Sequence, residues 1–261
     1  MKMLPTIFVS HGAPTLVLDK QAETSKFFRA LGPQLTPRAI LCVTAHWETH
    51  GGVRVSMAAH PEMIYDFHGF PEEMYRLDYP APGAPEVARR AIALAAEHGI
   101  AVEADANRGF DHGVWTPLMA IFPEAEIPVV SMSVAVNRSA QWHIDLGRAL
   151  MPLREEGVLI MGSGNATHNL RAVFSPGHRQ ALADPSRQFA TWLAERIEAG
   201  DVAALADFER QAPFARENHP TPDHILPLFV PLGAAGPDAP GTVLHDDFVF
   251  DILSMAAYRW D

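Results

Sequence analysis

Residues 39–45, Ala-Ile-Leu-Cys-Val-Thr-Ala, form a near-continuous apolar run, and this segment restricts the possible folds more than any other. A strand with one solvated face alternates apolar and polar side chains. An unbroken run suits a strand buried on both faces of a largely parallel sheet. Further strand signals fall at 6–10, at 127–134, which is the clearest β run, and at 158–161, which ends in the flexible turn Gly-Ser-Gly-Asn. Helical patterns lie between and beyond them at 20–31, 85–98, 115–121, 139–154 and 185–198. Strands alternating with helices predict an α/β protein, a three-layer α/β/α fold with a largely parallel central sheet. Shorter strand signals occur at 52–57, at 101–104 and twice within 241–258, where the last segment is expected to close one edge of the sheet. Residues 220–228 read as a helix start, with Thr221 as N-cap, Pro222 at the first helical position and His224 in the first turn.

The chain has 261 residues. That exceeds the usual domain size of about 100–150, but α/β folds reach about 250 as one unit, so a single domain over 1–261 is expected. Hydrophobic residues make up 48% and charged residues 20%, which supplies a sizeable core and excludes a disordered chain. The net charge is −11 and the longest basic run is the pair Arg89-Arg90, so no nucleic-acid partner is expected. The opening Met-Lys-Met-Leu-Pro-Thr-Ile-Phe-Val-Ser carries an apolar run too short for a signal sequence or a membrane span. A cytoplasmic protein with no membrane partner is the expectation. Oligomeric state is not legible, because interface and core apolar residues look alike in sequence.

Cys42 is the only cysteine, which excludes an intramolecular disulfide and CxxC-type thiolate metal sites. It reads as a buried, inert thiol, so any metal must be held by histidine and carboxylate. Thirteen histidines are available. Four sit in loop-like contexts: His11 in Ser-His-Gly-Ala-Pro-Thr, His46 in Thr-Ala-His-Trp, His168 in Asn-Ala-Thr-His-Asn and His224 in His-Pro-Thr-Pro-Asp-His. His11 and His46 each follow an apolar strand and would project from the same edge of a parallel sheet, where α/β proteins assemble their sites. Neutral imidazole is the commonest protein ligand for a transition metal, so the pattern points to a mononuclear metal enzyme. Three imidazoles leave open positions for water, oxygen or substrate, as catalysis needs. A fourth can move protons, and His168 is the candidate base, with an additional place on the metal equally open to it.

His112, in Gly-Phe-Asp-His-Gly, is a candidate substrate binder or proton donor. Asp111 beside it reads either as an acceptor that orients an imidazole or as a surface carboxylate. His68 and His219 are lesser candidates, and His143 reads as packed or exposed on its helix. His50, His60, His98, His178 and His245 read as solvated.

Seven segments taken together are recognisable: Ser-His-Gly-Ala-Pro-Thr at 10–15, Thr-Ala-His-Trp at 44–47, Tyr-Asp-Phe-His-Gly-Phe-Pro at 65–71, Tyr-Pro-Ala-Pro-Gly at 79–83, Gly-Phe-Asp-His-Gly-Val-Trp at 109–115, Gly-Asn-Ala-Thr-His-Asn-Leu at 164–170 and Pro-Thr-Pro-Asp-His-Ile-Leu-Pro-Leu at 220–228. In this order, over essentially the whole chain, they resemble the DODA-type extradiol ring-opening dioxygenases of the class III extradiol superfamily. The resemblance implies that His11, His46 and His224 bind the metal, with His168 beside it as acid/base or further ligand and His112 as another active-site histidine. It implies Fe(II) for turnover, with Zn(II) possible in isolated protein, and a catechol-type aromatic diol and O2 as substrates. Ring opening would then give a muconic semialdehyde.

Many extradiol enzymes use two histidines and one carboxylate, whereas the matching third position here is His224. Glu217 and Asp223 are carboxylates close enough in sequence to substitute. An all-histidine site also suits Zn(II), so a zinc-dependent hydrolase remains a competing reading, and a non-catalytic metal-binding protein of the same fold is a second.

Overall fold

The apolar run at 39–45 becomes part of an eight-stranded sheet in the computed structural model, which describes residues 3–261. Met1 and Lys2, at the head of the segment read as leading into the first strand, lie outside the described residues. The strands are β1 (Thr6–Ser10), β2 (Ala39–Thr49), β3 (Val53–Ser56), β4 (Val102–Asp105), β5 (Val129–Ala135), β6 (Val158–Gly164), β7 (Thr242–His245), β8 (Phe248–Val249), β9 (Leu253–Ser254) and β10 (Ala257–Trp260). The large sheet has the order β4-β3-β5-β2-β6-β1-β10-β7, and β8 and β9 pair separately. The four strands β5, β2, β6 and β1 run parallel, while β10 and β7 close one edge antiparallel, as expected for the C-terminal segment.

Burial on both faces of the parallel strands is visible residue by residue. Phe8, Leu41, Val43, Val158 and Ile160 face one core cluster. Ile7, Val9, Ile40, Cys42, Leu159 and Met161, their neighbours in sequence, face the other. Helices cover each side: α1 (Glu23–Leu31) and α3 (His112–Ile121) lie over the Ile40 face, and α2 (Pro85–Glu97) and α4 (Ala140–Leu150) over the Leu41 face. The chain continues through α5 (Pro152–Glu155), α6 (Leu170–Val173), α7 (Pro176–Glu198), three short helices α8 to α10 (Val202–Ala206, Phe208–Gln211, Ala215–Asn218), and α11 (Leu226–Ala234). Helices α7 and α11 complete the layer that contains α2 and α4, through Phe189, Leu193, Leu228 and Phe229. This is the three-layer α/β/α fold. Cys42 is a buried free thiol, and no helix of the described residues is long and apolar enough to cross a membrane.

Four local readings need correction. The helix expected over 139–154 is broken, because Pro152 has no N–H to extend α4 and starts the short α5 instead. The helix expected from 185 begins at Pro176, which occupies the first helical position, and Pro185 sits inside it. Thr221 is no N-cap: Ile225 and Leu226 both donate to the Pro222 carbonyl in a turn, and α11 starts only at Leu226, which leaves His224 ahead of the helix.

The strand read at 158–161 runs on to Gly164, so Gly-Ser-Gly is strand and not turn. Its glycines make room for the chain packed against them. A Cβ on Gly162 would lie 2.2 Å from the Pro227 carbonyl oxygen, and one on Gly164 would lie 2.1 Å from that of His224. Both clashes are with backbone, which cannot swing away. Gly162→Ala is therefore expected to destabilise the fold by about 2 kcal/mol or more in denaturant unfolding, as overpacking of a close contact does. A loss within 0.5 kcal/mol would show that α11 can shift.

Candidate metal centre

The parallel strands end at one edge, and the histidines collect there. His11 directly follows β1, where its N–H donates to the Gly164 carbonyl at the end of β6. His46 lies inside β2, not after it, because the strand continues to Thr49. Pairing with β5 jumps from Val43–Met132 to Glu48–Val134, so residues 44–47 bulge out of the ladder and turn His46 toward the site.

Three groups bracket that bulge. Thr44 Oγ1 donates to Asp111 Oδ1 at 2.7 Å, Arg108 donates to Asp111 Oδ2 at 2.6 Å, and the same Arg108 nitrogen reaches the His46 carbonyl at 3.2 Å. Asp111 is fully buried and holds the side chains of Thr44 and Arg108; it neither orients an imidazole nor lies on the surface. His224 arrives from the opposite side on the turn before α11, with its carbonyl accepting from Asn165 N at 2.9 Å.

His11, His46 and His224 each offer a ring nitrogen, all within 4.8 Å of one another, and the Nε2 atoms of His11 and His46 are 3.0 Å apart. The opposite nitrogens of His11 and His224 are hydrogen-bonded, and that of His46 has a carboxylate nearby. Ser163 Oγ donates to the Gly113 carbonyl, so its only proton is committed and it accepts from His11 Nδ1 at 3.1 Å. Asp223 Oδ2 accepts from His224 Nδ1, and Asp66 Oδ2 lies 3.4 Å from His46 Nδ1. Proton-bearing Nδ1 atoms leave bare Nε2 atoms converging on one point.

Burial pushes these imidazoles toward neutrality. It is the largest cause for each, followed by the other histidines: His11 and His224 are held well below the ordinary value, and His46 is lowered to about 3, with Asp66 partly opposing. His168 is lowered to about 4, again chiefly by burial. A cluster of neutral donors with no competing protons fits a divalent transition metal. One ion with about 2.0–2.1 Å bonds places tetrahedral imidazole nitrogens roughly 3.3–3.4 Å apart.

His168 is not among the three nitrogens that converge. Its ring stacks on His224 with centroids 3.4 Å apart and planes at 9°, and its backbone N–H donates to the Asn218 carbonyl. His112 sits at the start of α3 with its ring 3.8 Å from that of His46 and 5.4 Å from that of His11. All five histidines singled out in the sequence therefore meet.

The lesser candidates do not join them. His68 is exposed, and His219 is buried with Nε2 against the Ala166 carbonyl at 2.9 Å. His143 is buried and bridges Ser139 O and Ala135 N. Of the five read as solvated, His50, His60, His98 and His178 are exposed, but His245 stacks on Phe27 at 4.7 Å. Glu217 is exposed, and Asp223 supports His224 without replacing it. Sequence reasoning missed Asp66 and Ser163. Asp66 stood inside the quoted Tyr-Asp-Phe-His-Gly-Phe-Pro, where His68 drew the attention.

The family comparison fits this geometry. Residues 5–260 match the family described as the catalytic LigB subunit of aromatic ring-opening dioxygenase. The chain belongs to the LigB family. Among similar LigB-type relatives, a Beta vulgaris protein named 4,5-DOPA dioxygenase extradiol is 38% identical over 98% of this chain and 96% of its own length. An Escherichia coli K12 protein of the same name is 36% identical over 98% and 94%. A crystal structure of an uncharacterized Escherichia coli K12 protein superposes with a TM-score of 0.77 at 32% identity, covering 99% of this chain and 100% of that one. The family match and these relatives make the chain an extradiol, aromatic ring-opening dioxygenase.

Carboxylate partners of ligating histidines commonly account for 10–100-fold of metal affinity. Asp223→Ala is expected to weaken Zn(II) binding by about that factor in a chelator competition, while Asp223→Asn, which can still accept from Nδ1, retains most of it. Equal affinities in all three proteins would remove Asp223 from the site.

Proposed function

We propose that this LigB-family protein opens the ring of a catechol next to its two hydroxyls, with O2 as co-substrate, to give a muconic semialdehyde. His11, His46 and His224 hold the metal, and Fe(II) is the working ion. The convergence of three buried neutral imidazoles, with two more histidines facing the same space, carries this reading. Fe(II) bound there would supply positions for the diol oxygens and O2 and a path for electron density between them.

The chain's own residues then have separable tasks. His168, neutral at pH 7, accepts the proton of the second hydroxyl and returns it as the ring opens; both atoms of O2 end in the product as the carbon–carbon bond beside the diol breaks. His112 faces the substrate from the His46 side. Phe67 packs edge-on against His112, ring centroids 6.0 Å apart, and would give an aromatic substrate ring an apolar neighbour on that side. The names of the relatives make a catechol bearing an amino-acid side chain, such as DOPA, the first substrate to try. A reducing cytoplasm is the compartment we infer, since it preserves a ferrous ion.

The test is aerobic turnover of a catechol panel after anaerobic Fe(II) reconstitution, following O2 uptake and the yellow semialdehyde. His168→Ala is expected to keep its metal and lose at least about 100-fold in kcat, the usual worth of a positioned base. His11→Ala and His46→Ala are expected to lose metal as well. Absence of product from every diol, or full activity in His168→Ala, would overturn the respective assignments.

A further inference from the structure

Asp66 touches the site at three points. Its Oδ1 accepts from the His112 backbone N–H at 3.0 Å and lies 2.9 Å from His112 Nδ1, while its Oδ2 stands 3.4 Å from His46 Nδ1. These contacts come from a part of the chain with little regular structure. Asp66 lies between β3 and α2, where the described residues form one short 3-10 turn, Glu72–Arg76, and isolated bridges at Met63 and Gly83. Its side chain is 21% accessible, so it is partly shielded from water but not sealed.

We propose that Asp66 is a positioning residue that fixes the proton of His112 on Nδ1, turns a bare Nε2 toward the substrate, and at the same time steadies the metal ligand His46. The proposal rests on the dioxygenase reading for the word substrate, but its structural content does not.

The chemistry follows from donor counting. An ionised carboxylate only accepts, and Oδ1 already receives the backbone N–H of His112, so the His112 ring nitrogen 2.9 Å from the same oxygen must bring a proton. Free histidine favours the opposite tautomer, with hydrogen on Nε2, so the contact reverses the default. With its Nδ1 proton held by Asp66, the His112 ring presents the opposite nitrogen, Nε2, to a diol and takes the hydrogen bond of a hydroxyl there. This favours substrate binder over proton donor in the sequence-based choice.

The second oxygen links the two rings. His46 and His112 centroids are 3.8 Å apart, so a shift of either ring displaces the other. One carboxylate holding both keeps the substrate-side nitrogen in register with the metal-side nitrogen.

Two substitutions separate these roles. In Asp66→Asn the amide oxygen is drawn to the two donors of His112, which leaves the amide N–H facing the proton on His46 Nδ1. His112 keeps its tautomer while His46 loses its acceptor. Asp66→Ala removes both. The readouts are nitrogen NMR of histidine-labelled, Zn(II)-loaded protein, with His112 assigned by difference against His112→Gln, and Zn(II) affinity by chelator competition. Wild type and Asp66→Asn are expected to show His112 protonated at Nδ1, and Asp66→Ala to shift it mainly to Nε2. Zn(II) affinity is expected to fall about tenfold or more in both variants.

Retention of the Nδ1 proton in Asp66→Ala, or affinity within twofold of wild type in both variants, overturns the proposal. If Asp66→Ala does not fold, the nearly isosteric Asp66→Asn decides by its Zn(II) affinity. Neither readout involves ring cleavage, so failure of the catechol panel and failure of the Asp66 assignment remain separate results.

Discussion

The site depends on a close backbone approach, that of the turn and helix around His224 against the last residues of β6. Two of the three converging imidazoles, those of His11 and His46, are carried by neighbouring parts of one sheet edge, and the parallel ladder fixes their spacing. His224 belongs to a different layer and must be brought in by packing. Gly162 and Gly164 let the Pro227 and His224 carbonyls lie where a Cβ would otherwise be. Glycine is costly inside a strand, because it loses more backbone freedom on folding than other residues and packs no side chain. Here that cost is offset by a contact that places the third nitrogen within reach of the first two.

The second constraint is the bulge in β2. A regular strand would alternate its side chains through residues 44–47 and keep them paired with β5. Releasing four residues from that ladder frees the backbone to present His46, but it also strands polar groups that a sheet would have satisfied. Thr44, Asp111 and Arg108 absorb this. Burial raises the carboxyl of Asp111, while Thr44 and Arg108 act against that rise. The guanidinium also lies over the Trp47 ring, 4.9 Å from its centroid, so the bulge is gripped on both its backbone and its side-chain sides. Gly113 completes the fit, since a Cβ there would lie 2.6 Å from Thr44 Oγ1 and 2.9 Å from the His46 ring.

The layers and the meeting of the five histidines were legible because both follow from simple rules: unbroken apolar runs make doubly buried strands, and strand ends share an edge. His11 illustrates the legible case, one residue past a five-residue strand. What was not legible depends on contacts far apart in sequence. Nothing local marks residues 44–47 as a bulge, since Thr-Ala-His-Trp reads equally as a strand end. Gly-Ser-Gly reads as a turn until α11 is known to press against it. The carboxylate at 66 earns its place only through His112, 46 residues later, and Pro152 and Pro185 show that the same residue can end one helix and be carried within another, according to what packs around it.

The all-imidazole triad has an electrostatic consequence that the carboxylates around it address. In the proposed centre, three neutral donors would leave a divalent ion with its full charge, where burial already drives the histidines toward neutrality. A carboxylate bound directly would lower that charge but would also occupy the ion strongly and reduce its attraction for an anionic diol. Asp223 and Asp66 stand one imidazole farther out, at the Nδ1 side of His224 and His46. From there they draw on the Nδ1 protons, make each Nε2 a stronger donor, and return part of the negative charge through the ring. Their side chains, 12% and 21% accessible, keep some contact with water. In the proposed centre, the acid immediately before His224 in the chain would supply, one imidazole away, the negative charge that a carboxylate ligand would otherwise bring.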